Sequence, residues 1–222
     1  MQMQRLKAPS PVAGRGCVRS SSRAIRRTLP RPPSQTWKTF LHNHLGQFVS
    51  IDFFTAPTIT MKVLFVFLVL EHRRREVLHF HVTEYPCAAW TSQQIVEAFA
   101  NRDAPQYLLR DRDSIYGDEV RLRISSLQIE EVLSAPRSPW QNPYVERLIG
   151  SIRRECLDHF IIFNARHLKR TLSSYFTYYH GSRTHLGLDK QCPHVRQVSS
   201  VGTIVQIPHL GGLHHRYERT AA

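Results

Sequence analysis

The chain has 222 residues, 41% of them hydrophobic, so its length and composition suit one domain with a substantial core plus extensions. It carries 30 Lys and Arg against 17 Asp and Glu, and the resulting net charge of +13 indicates a polyanionic partner, most often nucleic acid. Four dispersed cysteines argue against a disulfide framework, and the longest apolar run is too short to cross a membrane. We therefore expect a cytoplasmic protein with no membrane partner.

The first 33 residues contain many Arg and Lys, no Asp or Glu, and few large apolar side chains. This composition cannot build a core and predicts a flexible basic arm that ends in a proline-rich hinge. Two interpretations stay open at this point. The arm either follows DNA phosphates or is what remains of a truncated upstream domain.

Three strands joined by short turns come next and suggest an antiparallel meander. Residues 48–54 are rich in β-branched and aromatic side chains, and residues 63–70 form the continuous apolar run of a strand covered on both faces. Residues 77–82 alternate in polarity. The alternation predicts one apolar face that consists of Leu78, Phe80 and Val82.

The pattern then changes to alternating helices and strands, as in an α/β protein. After Pro86 we expect a helix that is capped by Thr91 or Ser92. The tail from Thr184 is expected either to wrap the domain in extended form or to be partly disordered. The other predicted elements are a strand at 106–110, a helix at 117–127, a strand at 129–133 and a helix at 165–180.

The stretch from Ala135 to Cys156 combines a proline-rich turn with a strongly amphipathic helix. Asn142 is predicted to cap this helix, with Pro143 at its first position, where the missing N–H is tolerated. Glu146 lies in the first turn, near the positive end of the helix dipole. The predicted buried stripe consists of Val145, Leu148, Ile149, Ile152 and Cys156.

Three carboxylates stand at unusual places in this pattern. Asp52 lies inside an apolar strand, Asp111 follows the end of another strand, and Glu146 opens the amphipathic helix. A buried carboxylate is unfavourable unless a cation or hydrogen bonds compensate it, and converging carboxylates repel one another. Mg²⁺ or Mn²⁺ would suit such oxygen ligands better than Zn²⁺, and a pair of these ions can activate water or a 3′-OH against a phosphodiester.

Several motifs occur together in a recognisable order. They are Ile51-Asp52-Phe53-Phe54, Tyr107 through Gly117, Ser138 through Arg147, Tyr178-Tyr179-His180, Arg183-Thr184-His185-Leu186 and Gly211 through Tyr217. On these motifs the chain resembles the catalytic core of D-D-E transposases and retroviral-type integrases, within the RNase H-like superfamily, and in particular its bacterial integrase-like members. The resemblance spans residues 34–222.

The resemblance implies an α/β, RNase H-like fold with a five-stranded mixed sheet flanked by helices, in which the first and fourth strands are adjacent. It implies a catalytic core at 34–182 and a C-terminal extension at 183–222. It also implies two Mg²⁺ or Mn²⁺ ions, both bridged by Asp52, with Asp111 on one ion and Glu146 on the other. Asp113 is the alternative to Asp111; otherwise it caps its turn with Ser114.

The implied activity is DNA integration or transposition, through metal-dependent phosphodiester cleavage followed by strand transfer. The implied partners are DNA, at the element ends and the target, and further copies of the chain, with the protein on the nucleoid when it binds DNA. Family members normally begin with a helix-turn-helix region, which residues 1–33 are too short to form, so a truncated, inactive DNA-binding remnant or regulator is the alternative. A more distant alternative is a plain RNase H-type nuclease. The residues predicted to contact DNA are Arg147, Arg153, Arg154, Lys169 and Arg170.

Overall fold

A five-stranded mixed sheet lies at the centre of the computed structural model, which describes residues 36–197 and 199–220. Its strands are β1 (Phe48–Pro57), β2 (Val63–Glu71), β3 (Val77–Thr83), β4 (Tyr107–Arg110) and β5 (Glu130–Leu133). The strand order is β3-β2-β1-β4-β5. β1, β2 and β3 form an antiparallel meander, while β4 pairs in parallel with both β1 and β5. The predicted mixed sheet and the adjacency of the first and fourth strands are therefore confirmed. The predicted basic arm at 1–33 lies outside the described residues.

Helices cover both faces of this sheet and bury two separate apolar clusters. The helices are α1 (Trp37–Asn43), α2 (Ala88–Phe99), α3 (Asp118–Ser126), α4 (Pro143–Glu155) and α5 (Ala165–Gly181). One cluster joins the sheet to α4 and α5, and the other joins it to α2 and α3. The short α1 packs at one edge through Leu41, against Phe48 and Tyr107. The sheet thus carries helices on both faces, as the predicted fold requires.

The continuous apolar run of β2 is explained by this two-sided cover. Leu68 and Leu70 contribute to the cluster under α4 and α5, whereas Phe67 and Val69 contribute to the cluster under α2 and α3. Because side chains alternate along a strand, a central strand with helices on both faces has no exposed position for polar residues. The prediction of a strand covered on both faces is confirmed.

The amphipathic patterns of the last two helices also match the structure. All five residues of the predicted stripe, from Val145 to Cys156, are buried in the cluster beneath α4 and α5. A helix buries a stripe of this kind because residues three and four positions apart share one face. The helix α5 buries its predicted apolar residues against the same cluster, namely Leu168, Leu172, Tyr175, Phe176 and Tyr179.

Two local predictions were wrong. A register shift in the β2–β3 pairing places Val77 opposite Leu70 and His79 opposite Val69, so Leu78 is an extra residue and packs on the α2–α3 side, away from Phe80. The helix α2 begins at Ala88, one turn earlier than expected, and neither predicted residue caps it. Thr91 lies inside the helix, where its hydroxyl donates to the Cys87 carbonyl at 2.8 Å.

The chain after α5 folds back on the domain and then forms a hairpin. Arg74 donates from its Nη2 to the Cys192 carbonyl at 2.7 Å and from its Nε to the Pro193 carbonyl at 3.0 Å. The hairpin, which the sequence pattern did not predict, pairs β6 (Thr203–His209) with β7 (His214–Thr220). The domain boundary predicted between 182 and 183 remains a prediction. No helix in residues 36–197 or 199–220 has both the length and the apolar character to cross a membrane.

Candidate active site

Asp52 lies near the middle of β1, on the strand face that points toward α4. Val49 and Ile51 face the opposite helical layer, so strand alternation places Ser50, Asp52 and Phe54 together on the α4 side. The Asp52 carboxylate is half-buried, and its Oδ1 accepts a hydrogen bond from the Phe53 backbone N–H at 2.7 Å. An acidic side chain is thereby fixed inside the sheet rather than at its rim.

Asp111 follows the last residue of β4, the strand that neighbours β1. The buried Arg110 fixes the backbone here, because its Nη1 donates to the Asp111 carbonyl at 2.7 Å while its Nε donates to Glu131 on β5 at 2.7 Å. The Asp111 side chain itself is exposed and accepts a hydrogen bond from the Asp113 backbone N–H at 3.2 Å. A rigid strand end thus supports a solvent-facing carboxylate.

Glu146 lies in the first turn of α4 and is exposed. Pro143 is at the start of the helix as predicted, but the Asn142 side chain makes no capping bond to α4. Instead, the buried Asn142 accepts a hydrogen bond at its Oδ1 from the Ser50 hydroxyl of β1, at 2.7 Å. The sequence pattern identified the helix start correctly but not the partner of its first polar side chain.

One open cleft of about 400 Å³ brings these elements together. We call it the carboxylate cleft; its acidic lining residues are Asp52, Asp111, Asp113 and Glu146, and Ser134, Ser138 and Asn142 contribute polar groups. The three carboxylates singled out from the sequence therefore face one shared space, although they come from two strands and a helix. Asp113 shares this space and also caps its own turn as expected, since its Oδ1 accepts from Ile115 N–H at 3.1 Å.

The shared negative charge changes the acidity of Asp52. The pKa of its carboxyl is raised from 3.8 to about 7, mainly by burial and in smaller part by the charges of Asp111, Glu146 and Asp113, while the bond from Phe53 N–H acts to lower it. At neutral pH the cleft therefore holds a carboxyl that is poised between its protonated and charged forms. A bound cation would favour the charged form, because it would offset both the desolvation and the repulsion.

The donor set of the carboxylate cleft fits a hard divalent cation. All its acidic ligands are carboxylate oxygens, the ligand type that Mg²⁺ and Mn²⁺ prefer. Nowhere in the described ranges, however, do three His, Cys, Asp or Glu side chains already converge closely enough to hold one ion. Mutual repulsion gives a physical reason for this, and both Asp52 and Asp111 accept hydrogen bonds from nearby backbone N–H groups instead.

A buried hydrogen-bond chain lies beneath the cleft. The Ser50 hydroxyl contacts the His72 Nε2 as well as Asn142, and all three side chains are buried. Because a hydroxyl has one proton, which goes here to Asn142, His72 must donate to Ser50 from its Nε2. Burial, together with the charge of Arg75, lowers the pKa of His72 to about 3, in agreement with a neutral ring at physiological pH.

The five basic residues predicted to contact DNA lie on α4 and α5. All are exposed, but only Arg147 and Arg154 line a common cleft, on a different side of α4 from Glu146. The Arg153 guanidinium lies 5.9 Å from the ring centroid of Phe54, and Lys169 and Arg170 lie on α5.

Glu155, the last residue of α4, pairs with a residue far along the chain rather than with a neighbour in sequence. It forms a bidentate ion pair with Arg183, in which both nitrogen–oxygen distances are 2.6 Å, and it also accepts from the Tyr175 hydroxyl at 2.9 Å. Although burial alone would raise the pKa of the Glu155 carboxyl, hydrogen bonds from Arg183 lower it below its ordinary value. No sequence signal connected these residues, because they lie on separate elements.

Comparison with known proteins gives a family match and a set of structural neighbours. The family model described as Integrase core domain matches residues 127–193, a segment that contains Glu146 but neither Asp52 nor Asp111. No curated protein matches the chain by sequence.

Solved structures resemble the fold over most of the described chain. One is the intasome of simian T-cell lymphotropic virus in complex with the PP2A regulatory subunit B56 gamma, at 14% identity and a TM-score of 0.57, covering 79% of this chain and 67% of that one. The catalytic domain of Mos1 mariner transposase matches at 18% identity and a TM-score of 0.54, covering 64% and 77% of the two chains.

A third neighbour is the HTLV-2 integrase catalytic core domain in complex with magnesium, at 11% identity and a TM-score of 0.53, covering 67% of this chain and 93% of that one. The Mos1 catalytic domain has also been solved with Raltegravir and either Mg or Mn. The predicted resemblance to integrase and transposase cores is confirmed. Residues 127–193 therefore match the model of the integrase core domain family, and the fold that contains them is similar to that of integrase and transposase catalytic domains.

Proposed function

We propose that the chain is the catalytic core of a DNA integration or transposition enzyme, which cleaves a phosphodiester and joins the freed 3′-OH to a second DNA. The observation that carries this proposal is the carboxylate cleft. Asp52, Asp111 and Glu146 reach it from two strands and a helix, and their combined charge contributes to the raised pKa of Asp52. Neighbours in fold that have been solved with magnesium, an integrase core and a transposase catalytic domain, support the same chemistry.

In this proposal, Asp52, Asp111 and Glu146 hold two divalent ions. When bound, the ions lower the pKa of an attacking water or 3′-OH and stabilise the leaving oxygen. The protein supplies the charge that holds them and the geometry of the cleft. Arg110 keeps the backbone at Asp111 fixed, and the pairing of β1 with β4 keeps the first two carboxylates on neighbouring strands. Cleavage adds water across the P–O bond and yields a 3′-OH and a 5′-phosphate; transfer then exchanges one phosphodiester for another.

The test is a cleavage and joining assay with the purified chain, Mn²⁺ or Mg²⁺, and duplex DNA. We expect Asp52→Asn, Asp111→Asn and Glu146→Gln each to reduce the rate by on the order of 1,000-fold or more. Asp113→Asn is the matched control, because it removes the same charge from the same cleft. We expect it to retain activity within about tenfold, since the proposal gives this side chain a turn-capping role rather than a metal.

Three results would contradict the proposal. Activity that survives all three substitutions would place the chemistry elsewhere. Salt-sensitive DNA binding without cleavage under any metal condition would identify a non-catalytic remnant. Cleavage of an RNA–DNA hybrid without any joining of DNA would indicate an RNase H-type nuclease instead.

The proposal extends to assembly and location. The neighbours in fold include an intasome and integrase cores described in dimeric and trimeric forms, so we propose that this chain also acts as a multimer on DNA. We propose a reducing compartment, because Cys87, Cys156 and Cys192 are free thiols, and a location on the nucleoid when the protein binds DNA. Light scattering of the chain with and without DNA measures the oligomeric state.

A further inference from the structure

A second cleft lies along α4, separate from the carboxylate cleft. It has a volume of about 390 Å³, and we call it the arginine cleft after its basic lining residues Arg75, Arg147, Arg154 and Arg183. Arg147 and Arg154 lie seven positions apart on α4, with Ser151 between them in the lining. Arg75 comes from the turn between β2 and β3, and Arg183 follows α5. Three separate segments thus direct guanidinium groups into one space.

The charge of this cleft is not balanced locally. Among the described residues that line it, none is acidic, and only Arg183 has a bonded carboxylate partner, Glu155 behind it. Arg75 lies over the Tyr144 ring, with its Cζ at 3.5 Å from the ring centroid. Clustered cations repel one another, and an anion in the cleft would relieve this repulsion. Guanidinium groups match phosphate oxygens in geometry as well as in charge.

The shape of the cleft favours a polymer over a single small anion. Arg147 and Arg154 are seven positions apart, which corresponds to about 10 Å along the helix axis. The surface also continues past Tyr144 and Arg147 into a neighbouring groove beside Trp140, whose side chain is 68% exposed. A chain of phosphates beside an aromatic side chain is the partner that such a basic groove accommodates.

We propose that the arginine cleft binds a polynucleotide backbone, on a face of α4 distinct from the one that carries Glu146. This inference rests on the proposed function only for the identity of the polyanion as DNA. One face of α4 would then present Glu146 to the carboxylate cleft, and another face would contact phosphates in the arginine cleft. Arg183, a further candidate for DNA contact from the sequence, and Arg75, which the sequence pattern had not assigned to DNA, join Arg147 and Arg154 in this site.

The test measures DNA binding by fluorescence anisotropy in EDTA, where cleavage does not occur. We expect the double variant Arg147→Gln/Arg154→Gln to lose about tenfold or more in affinity and to reduce the salt slope by about two, one for each lost phosphate contact. The matched control is Arg121→Gln/Arg123→Gln on α3, which removes the same charge from exposed positions outside the cleft. We expect the control to stay within about twofold of the wild type.

An equal loss in both double variants, or no loss in the first, would overturn the proposal. Inorganic phosphate that binds the wild-type chain as tightly as the oligonucleotide does would also overturn it, because the cleft would then be a small-anion site. A chain that binds DNA through the cleft but never cleaves it would contradict the proposed function alone. Cleavage with binding unaffected by the double variant would contradict this inference alone.

A different observation, the buried hydrogen-bond chain, carries a second inference. Ser50 shares a face of β1 with Asp52, two residues away, and donates to Asn142. The Asn142 carbonyl accepts the first bond of α4, from the Glu146 N–H at 3.3 Å. These hydrogen bonds therefore connect β1, which carries Asp52, to the first turn of α4, which carries Glu146. His72 completes it from the adjacent region after β2, as the donor to Ser50.

We infer that Ser50 and Asn142 are positioning residues, which set the separation of Asp52 and Glu146. The helix start is bonded across to β1 instead of to its own backbone N–H groups, so the side-chain bond fixes α4 against the sheet rather than only ending the helix. Both residues are buried; loss of the Ser50 hydroxyl removes the partner of the Asn142 Oδ1, and loss of the Asn142 amide leaves the Ser50 hydroxyl with His72 alone. The inference rests on the proposed metal-binding carboxylates.

The test is calorimetric binding of Mn²⁺ alone, without DNA, together with thermal unfolding. We expect Ser50→Ala and Asn142→Leu each to weaken Mn²⁺ binding about fivefold, and the double variant to add little, because both remove the bond between Ser50 and Asn142, the one that joins β1 to α4. The conservative Ser50→Thr keeps the hydroxyl and should restore binding. Ser92→Ala is the control, since it removes a buried hydroxyl on α2 that has no partner.

A lower melting temperature with unchanged Mn²⁺ affinity in the folded Asn142→Leu or Ser50→Ala chain would overturn the positioning role. Independent, additive losses in the double variant would overturn it as well. Absence of Mn²⁺ binding by the wild-type chain would instead defeat the proposed function on which the role rests.

Discussion

The Asp52→Asn variant tests how unfavourable the charge of Asp52 is in the carboxylate cleft. Asn keeps the size and an acceptor oxygen of the side chain but removes its charge. In the wild-type chain the pKa of Asp52 is raised by burial and neighbouring carboxylates from 3.8 to about 7. Between these values the folded state binds a proton that the unfolded state has released. The stability that this proton gives is fully present below the lower value and is lost as pH rises through the higher one.

The size of this loss follows from the shift. At about 1.4 kcal/mol per pH unit, Asp52 lowers the free energy of unfolding by up to about 4 kcal/mol between acidic pH and pH 8. This value is an upper limit, because the carboxylate is only half-buried and water screens part of its charge. In the Asn variant this dependence on pH is removed.

Histidines whose pKa is lowered in the folded chain change stability in the opposite direction, and three of them have large shifts. Burial lowers the pKa of His72 to about 3 and those of His180 and His185 to about 4, so the unfolded chain takes up protons first as pH falls below 6.5. As pH rises from these lowered pKa values toward 6.5, the histidines therefore increase the free energy of unfolding. The difference between variant and wild type at each pH cancels this contribution and leaves the Asp52 term.

The assay is urea unfolding in EDTA, followed by tryptophan fluorescence, at intervals from about pH 4 to about pH 8. We expect the variant to gain stability relative to the wild type as pH rises. Added Mn²⁺ should then stabilise the wild type at pH 8 but not the variant. A difference that stays constant with pH would show that Asp52 has an ordinary acidity, and the reasoning about concentrated negative charge in the cleft would fail.

Two further predictions concern stability outside the cleft. Glu155→Gln should lower the free energy of unfolding by roughly 2 kcal/mol, because it leaves the Arg183 guanidinium without its bidentate partner. The loss should be smaller at acidic pH, where the wild-type Glu155 is itself protonated. An unchanged urea midpoint at pH 7 would contradict the importance of the pair. Gly150→Ala in the middle of α4 should raise the free energy of unfolding by about 0.5–1 kcal/mol, since the new methyl meets only the flexible end of Arg154 at 3.0 Å. A fall in melting temperature would show that Arg154 cannot move aside.

Much of the fold was predictable because local patterns report which face of an element is buried. The stripe of α4, from Val145 to Cys156, needs only helical spacing to be recognised, and the apolar run of β2 needs only its continuity. The same patterns made Asp52 conspicuous as a charge inside an apolar strand. Leu78 shows the limit of such reasoning, since one inserted residue in the β2–β3 pairing turned it to the other face.

The polar partners were decided by the tertiary structure alone. Asn142 bonds to Ser50 on a distant strand rather than to its own helix, and Glu155 pairs with Arg183 rather than with a neighbour in sequence. Periodicity carries no information about such pairs, because a polar side chain selects whichever complementary group the packing of the elements brings within hydrogen-bond distance. The arginine cleft has the same origin, since Arg75 meets the α4 arginines only after the sheet and helices have packed.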